Sequence, residues 1–217
     1  MTKKIKILKK IAQKELTKVA HDYKHVERVR RWALIIAEKE GFPQRELLEA
    51  ACLLHDIGLS RVRKVNRHGI AGAKISRKIL ADLNLFSKSK INEICFAIRH
   101  HNTIQKLPGE LLAILRDADM LDSLGNVGIM RACMSKNYLP EYLTGNTKGS
   151  SWGFNNFNFD KYFRAKKTAI VTVADQINFQ ISFFDNLNTE TAKRLSKKLI
   201  KKMQNFLIEL EKEINNK

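Results

Sequence analysis

The sequence predicts an all-α protein, on three observations. Apolar residues recur at steps of three and four along nearly the whole chain. No stretch sustains the period-two alternation of a half-buried strand, and no hairpin signature interrupts the helical pattern. Gly41, Pro43 and Gly58 fall where the helical stripes stop or start.

The elements follow in order. Leu8, Ile11, Ala12, Leu16 and Val19 form the first stripe, and Val26, Val29, Ala33, Ile36 and Ala37 the second. Gly41 is placed to end the second helix and Pro43 to open the next. That third helix carries Leu47, Ala51 and Leu54 and stops at Gly58. Further stripes appear at Ile75 and Ile79, at Ile91, Ile94, Cys95 and Ile98, and at Leu111, Leu112 and Leu115. The closing stripe, Leu195, Leu199, Met203, Phe206, Leu210 and Ile214, is lysine-rich on its other face. Residues 144–160 break the pattern with three glycines, four asparagines and the aromatics Trp152, Phe154, Phe157 and Phe159. They are expected as a long loop, either a lid over a site or a connection whose aromatics pack onto the body.

Composition narrows the class. At 217 residues and 44% hydrophobic, the chain can fold as one compact domain over 1–217 with a sizeable core. No apolar run approaches the roughly 20 residues that span a bilayer, so no membrane partner is expected. The N-terminus lacks the long apolar segment and cleavage site of a secretory signal. Cys52, Cys95 and Cys133 are odd in number and embedded in helical pattern. They read as small core residues in a reducing compartment, so the cytoplasm is expected. The net charge of +18 would attract a polyanion, although from charge alone simple solubility is the better reading.

All six histidines lie between positions 21 and 101. Five extend helical stripes: His21 and His25 lead to Val29 and Ala33, His55 follows Ala51, His68 precedes Gly72 and Ile75, and His101 follows Ile94 and Ile98. His100 is turned about 100° away from His101. Burying several imidazoles on different helices costs free energy unless each finds a partner, and a shared metal supplies partners for all. Asp56 stands beside His55. Asp119 and Asp122 share a face with Leu112 and Leu115, whereas Asp117 points the opposite way and is expected to be solvated.

The order His25, His55-Asp56, Asp119 resembles the H…HD…D signature of the HD superfamily of metal-dependent phosphohydrolases. The segments His21–Val29, Leu53–Gly58, His68–Ala73, Ala97–His101 and Asp117–Asp122 resemble, in order, the motifs of its small bacterial single-domain members. Gly125, Gly128, Ile129 and Arg131 continue the last motif, and the tail from Phe184 to Leu210 resembles their closing helical pair. The resemblance implies a single-domain HD-type helical bundle, its core at about 20–135 and a C-terminal helical extension at about 160–217. It implies a divalent ion on His25, His55, Asp56 and Asp119. That mixed N/O set suits Mn²⁺ or Mg²⁺ first, and also Fe, Co²⁺ or Ni²⁺.

Catalytic roles then fall to Asp56, His68 and His101, with Arg28, His68, His101 and Arg131 as candidates for binding phosphate. Hydrogen-bonded support of the metal ligands is nearly as good a reading for His68 and His101, and an ion pair is the more cautious one for Arg131. Asp22 and Asp122 are candidates for orienting His or Arg side chains. Arg61, Arg63, Lys64 and Arg67 would add positive charge at the mouth of the site. The function expected is hydrolysis of a small phosphate ester or anhydride, with a nucleotide favoured and nucleoside triphosphate pyrophosphohydrolase as a subclass. The alternatives are an HD-type nuclease or phosphodiesterase on nucleic acid or cyclic nucleotides, and a non-enzymatic nucleotide sensor. The oligomeric state is not legible.

Overall fold

A computed structural model describes residues 2–18, 21–62, 67–103, 105–165 and 167–215. The chain divides into two compact units, Met1–Asp119 and Met120–Lys217. The first holds α1 (Lys3–Glu15), strands β1 (Thr17–Lys18) and β2 (His21–Asp22), α2 (Tyr23–Glu40), α3 (Arg45–Leu54) and a 3-10 turn, Ile57–Ser60. It continues with α4 (His68–Asp82), α5 (Lys88–His100) and most of α6 (Glu110–Asp122). The second holds the end of α6, then α7 (Gly125–Ser135), α8 (Asn156–Arg164), α9 (Val173–Ile181), a 3-10 turn Ser182–Asn186 and α10 (Glu190–Ile214). The all-α expectation holds, and the change of unit falls inside a helix. Among the described residues no helix is long and apolar enough to cross a membrane.

In the first unit α3 is central. Every residue from Leu47 to Leu54 is buried, as a helix packed on α1, α2 and α5 requires. The α2 stripe is buried at Val26, Val29, Ala33, Ile36 and Ala37. Its start is set by Asp22, whose carboxylate accepts from the His25 backbone N–H at 3.0 Å. Its end is set by Gly41, at φ 73°, in the left-handed region that glycine tolerates. An ion-pair network ties these helices together. Arg30 donates to Glu27 through Nη2 at 2.7 Å and Nε at 3.1 Å, pairs with buried Glu49 of α3, and Lys9 of α1 reaches Glu27 at 3.1 Å.

The 3-10 turn and α4 meet backbone to backbone. A Cβ on Gly58 would stand 2.1 Å from the His68 carbonyl oxygen and 2.5 Å from the Gly72 nitrogen. Only glycine at 58 permits that approach, which sets the first residue of α4 against the end of α3.

In the second unit, buried Asp175 of α9 gathers the chain before it. Its carboxylate accepts from the Ser151 N–H and hydroxyl at 2.8 and 2.7 Å, and from the Thr172 N–H and hydroxyl at 3.2 and 2.9 Å. Phe159 is fully buried within an aromatic cluster that includes Phe154, Phe163 and Phe179.

Several expectations change. Residues 156–160 belong to α8, and the aromatics Phe154 and Phe159 pack inside their own unit, as a connection's would. His21 sits in β2, paired with Lys18, so its four-residue step to His25 is not a helical one. Cys133 is exposed, whereas Cys52 and Cys95 are buried. Asp117 is fully buried because α6 is covered on nearly every side, from Leu111 and Leu112 round to Ala118 and Leu121. On α10 the buried line runs through Ala192, Ser196, Met203 and Leu207, leaving Phe206 exposed. Val19, Arg63 and Lys64 lie outside the described residues.

Gly58→Ala should lower unfolding stability by about 3 kcal/mol, since the atoms it meets are backbone and cannot rotate away. Gly41→Ala meets nothing within 4 Å and has only its left-handed φ to oppose it, about 1 kcal/mol. Denaturant melts of the two variants check this ordering, and equal losses would contradict it.

Candidate metal centre

Four helix ends in the first unit bring histidines to one buried carboxylate. His55 caps the C-terminus of α3, and His101 caps that of α5. Each accomplishes this in the same way. The His55 Nδ1–H donates to the Cys52 carbonyl and the His101 Nδ1–H to the Ile98 carbonyl, both at 2.7 Å. A carbonyl oxygen only accepts, so Nδ1 carries the proton and the Nε2 lone pair points inward. The same bonds satisfy carbonyls that a helix end leaves unpaired. His25 comes from the first turn of α2 and His68 from the first residue of α4.

Asp56 is the point on which they converge. It is 2% exposed and has φ −95° and ψ 3°, the bridge region between helix and strand. Its Oδ2 lies 2.8 Å from His21 Nδ1, 3.4 Å from His25 Nε2 and 3.5 Å from His55 Nε2. Its Oδ1 lies 3.1 Å from His68 Nε2 and 3.7 Å from His101 Nε2. Asp119 joins from α6, its Oδ1 at 3.4 Å from His25 Nε2, and His25 and His55 face each other at 3.3 Å.

These distances test the expected metal set. Ligand atoms about 2.1 Å from an octahedral ion stand about 3 Å apart along an edge. The separations of 3.3 to 3.5 Å among His25, His55, Asp56 and Asp119 match that edge with little adjustment. His25, His55 and Asp119 form one group able to hold a metal ion, and His21, His25 and Asp56 or His55, Asp56 and His101 form others.

The electrostatics are those of ligands ready to bind. Burial pushes His55 down to about 4, so at neutral pH it is uncharged with its lone pair available. Burial opposes charge on Asp56 as well, but His55 and the surrounding imidazoles of His101, His21 and His25 outweigh it and hold the carboxyl well below its ordinary range. Asp119 is likewise lowered, by His55 and His25 against the cost of burial.

The remaining expected residues separate. Arg28 is half-buried on α2, one turn beyond His25. Arg131 belongs to the second unit, where its Nη1 donates to Asp122 at 2.9 Å and to Ser123 at 3.2 Å, the ion-pair arrangement. His100 turns away to stack on Phe96. Two residues near the centre were absent from the sequence-derived set. His21 contacts Asp56, a role that its neighbourhood to His25 hinted at. Asn102 donates through Nδ2 to His68 Nδ1 at 3.2 Å, with no periodic signal to reveal it.

The helix ends of this unit direct imidazoles and carboxylates at one buried point, in groups that could hold a metal ion. Over residues 22–124 the chain matches the HD domain family. It is similar to the uncharacterized protein YpgQ of Bacillus subtilis, 29% identical over 202 residues covering 89% of this chain and 84% of that one. Superposition on the crystal structure of YpgQ in complex with ADP gives a TM-score of 0.67 at 22% identity, over 97% of this chain and 95% of that one. A Bacillus thuringiensis HD-superfamily hydrolase superposes with a TM-score of 0.64 at 23% identity, over 99% and 96% of the two chains.

Two outcomes follow for the metal-stripped protein. The unfolded His55 takes a proton near 6.5 but the folded one only near 4, so its stabilising effect is present above 6.5 and lost as pH falls. Between pH 7 and 5 that amounts to about 2 kcal/mol, or a Tm lower by about 5 °C. The lowered carboxyls of Asp56 and Asp119 extend the loss to still lower pH. A Tm that holds or rises on acidification would contradict the neutral, buried assignment. Added Mn²⁺ should raise Tm at pH 7, and Asp119→Asn should abolish most of that rise.

Proposed function

We propose that this chain is a divalent-metal-dependent phosphohydrolase that hydrolyses a phosphate ester or anhydride of a nucleotide, nucleoside triphosphate pyrophosphohydrolysis included. The observation that carries the reading is Asp56, whose two oxygens face different sets of groups. Oδ2 belongs with His25, His55 and Asp119, which would hold the ion, Mn²⁺ or Mg²⁺ by their mixed N/O chemistry. Such an ion supplies Lewis acidity and a water of lowered pKa when bound.

The other side of Asp56 is provided with a proton. Asn102 donates to His68 Nδ1, which places the His68 proton on Nε2, between Asp56 Oδ1 at 3.1 Å and His101 Nε2 at 2.9 Å. His68 is therefore a proton donor held by its neighbours, suited to a phosphate oxygen or a leaving group, and His101 shares that proton. Arg28 is the guanidinium proposed for phosphate. Arg131 is assigned no such role, because Asp122 and Ser123 engage its Nη1. The ADP in the YpgQ crystal structure supports a nucleotide as the substrate class. Three thiols in no disulfide support residence in the cytoplasm.

A screen of nucleotides and other phosphate compounds with Mn²⁺, Mg²⁺, Co²⁺, Ni²⁺ and Fe²⁺ is the direct test. Asp56→Ala should lower turnover by about 1,000-fold or more, and His68→Ala by about 100-fold. Turnover that survives both chelation and Asp56→Ala would refute the proposal.

A further inference from the structure

The outer side of the α4–α5 pair carries a groove that the metal centre leaves unused. Its volume is about 850 Å³, and its walls include Arg67, Ile70, Lys74 and Arg77 from the α4 side and Phe96 and Arg99 from α5. No carboxylate lines it. Beneath the groove the two helices pack backbone to backbone. A Cβ on Gly69 would stand 2.7 Å from the Arg99 carbonyl of α5, and one on Gly72 would stand 3.2 Å from the His55 carbonyl.

The four cations are exposed, and none of them enters an ion pair among the described residues. Arg77 donates instead to the neutral Asn92 side chain at 2.6 Å. This contrasts with Arg30 and Arg131, each of which is matched to a carboxylate. Like charges lining one concavity repel one another, and the fold gains no compensating pair from them. Their field is directed at an external anion.

The spacing and the apolar part of the groove narrow the anion. Arg67, the residue that caps the start of α4, and Arg77 within it are ten residues apart, about 15 Å at 1.5 Å per residue. Positive charge spread over that length suits a row of phosphates better than one compact triphosphate. Between the cations, Ile70 is 52% exposed and Phe96 39% exposed, with the Phe96 ring 4.7 Å from that of His100 in a tilted contact. An exposed aromatic ring beside arginines is the kind of side chain on which a base stacks. An acidic peptide has no use for it, and a flat anionic bilayer cannot enter a concavity. A net charge of +18 and a pI of about 9.9 fit the same partner.

We propose that the α4–α5 groove binds single-stranded nucleic acid, its phosphates on Arg67, Lys74, Arg77 and Arg99 and a base on Phe96. This goes beyond the hydrolase reading and does not rest on it, because the test reads binding and not turnover.

The test is fluorescence anisotropy of a labelled strand of about 12 nucleotides with the wild-type protein over a range of salt concentrations. Lys74→Glu/Arg77→Glu should weaken binding about tenfold or more and reduce the slope of log affinity against log salt by about 1.4, or 0.7 per lost phosphate contact. Phe96→Ala should weaken binding at least fivefold with the slope unchanged. Lys197→Glu/Lys201→Glu, on α10, should leave both quantities unchanged. Circular dichroism confirms that each variant is folded. Any of four results would overturn the proposal: no binding, equal weakening by the α10 pair, a mononucleotide that competes as well as the strand, or anionic vesicles that compete as well as the strand.

Discussion

A single buried carboxylate governs the architecture of the first unit. Asp56 is 2% exposed and would be costly to ionise there without partners. Five imidazoles, from β2, α2, α3, α4 and α5, supply them. The burial of Asp56 and the convergence of those elements therefore stabilise each other. Remove the carboxylate and the imidazoles lose the group on which they converge. Displace any of those elements and the carboxylate loses a neighbour.

Local devices hold the convergence in place. His55 and His101 occupy helix C-termini and donate to carbonyls three residues back, so helix capping and ring orientation are one interaction. Asp22 fixes the first turn of α2, and with it His25. Gly58 allows the turn after Asp56 to touch the start of α4, and with it His68. Behind them the Arg30 network joins α1, α2 and α3 without reaching the centre. In the second unit Asp175 has a comparable local function. It binds the N–H groups of Ser151 and Thr172 and so settles the glycine-rich segment against α9.

Much of the fold and most of the candidate centre were legible in the sequence. Buried helical stripes at Val26–Ala37 and Ile91–Ile98 follow from apolar periodicity alone. The four histidines His25, His55, His68 and His101 and Asp119 stood out by facing inward on such stripes, Asp56 by standing beside His55 in a motif resembling that of the HD superfamily, and the structure brings all six together. The failures share a cause. Asp117 looked solvated because the face opposite Asp119 was taken as outer, yet α6 has no outer face along most of its length. Phe206 looked buried and Cys133 looked internal, because periodicity locates a stripe but not its depth. His21 was placed on the helical stripe of His25, whereas it lies in a strand.

By itself, then, the sequence determined the helices, their apolar sides and the inward direction of the metal-type residues. These depend on spacings of three and four within a single element. Tertiary structure alone decided that Asp56 presents Oδ2 to His25 and His55 and Oδ1 to His68 and His101, that Asn102 sets the proton of His68, and that Arg131 meets Asp122. It also decided that four cations on the outer side of α4 and α5 stand together with no carboxylate among them. Each of these is a distance between atoms on different segments, and such distances exist only once the chain has packed.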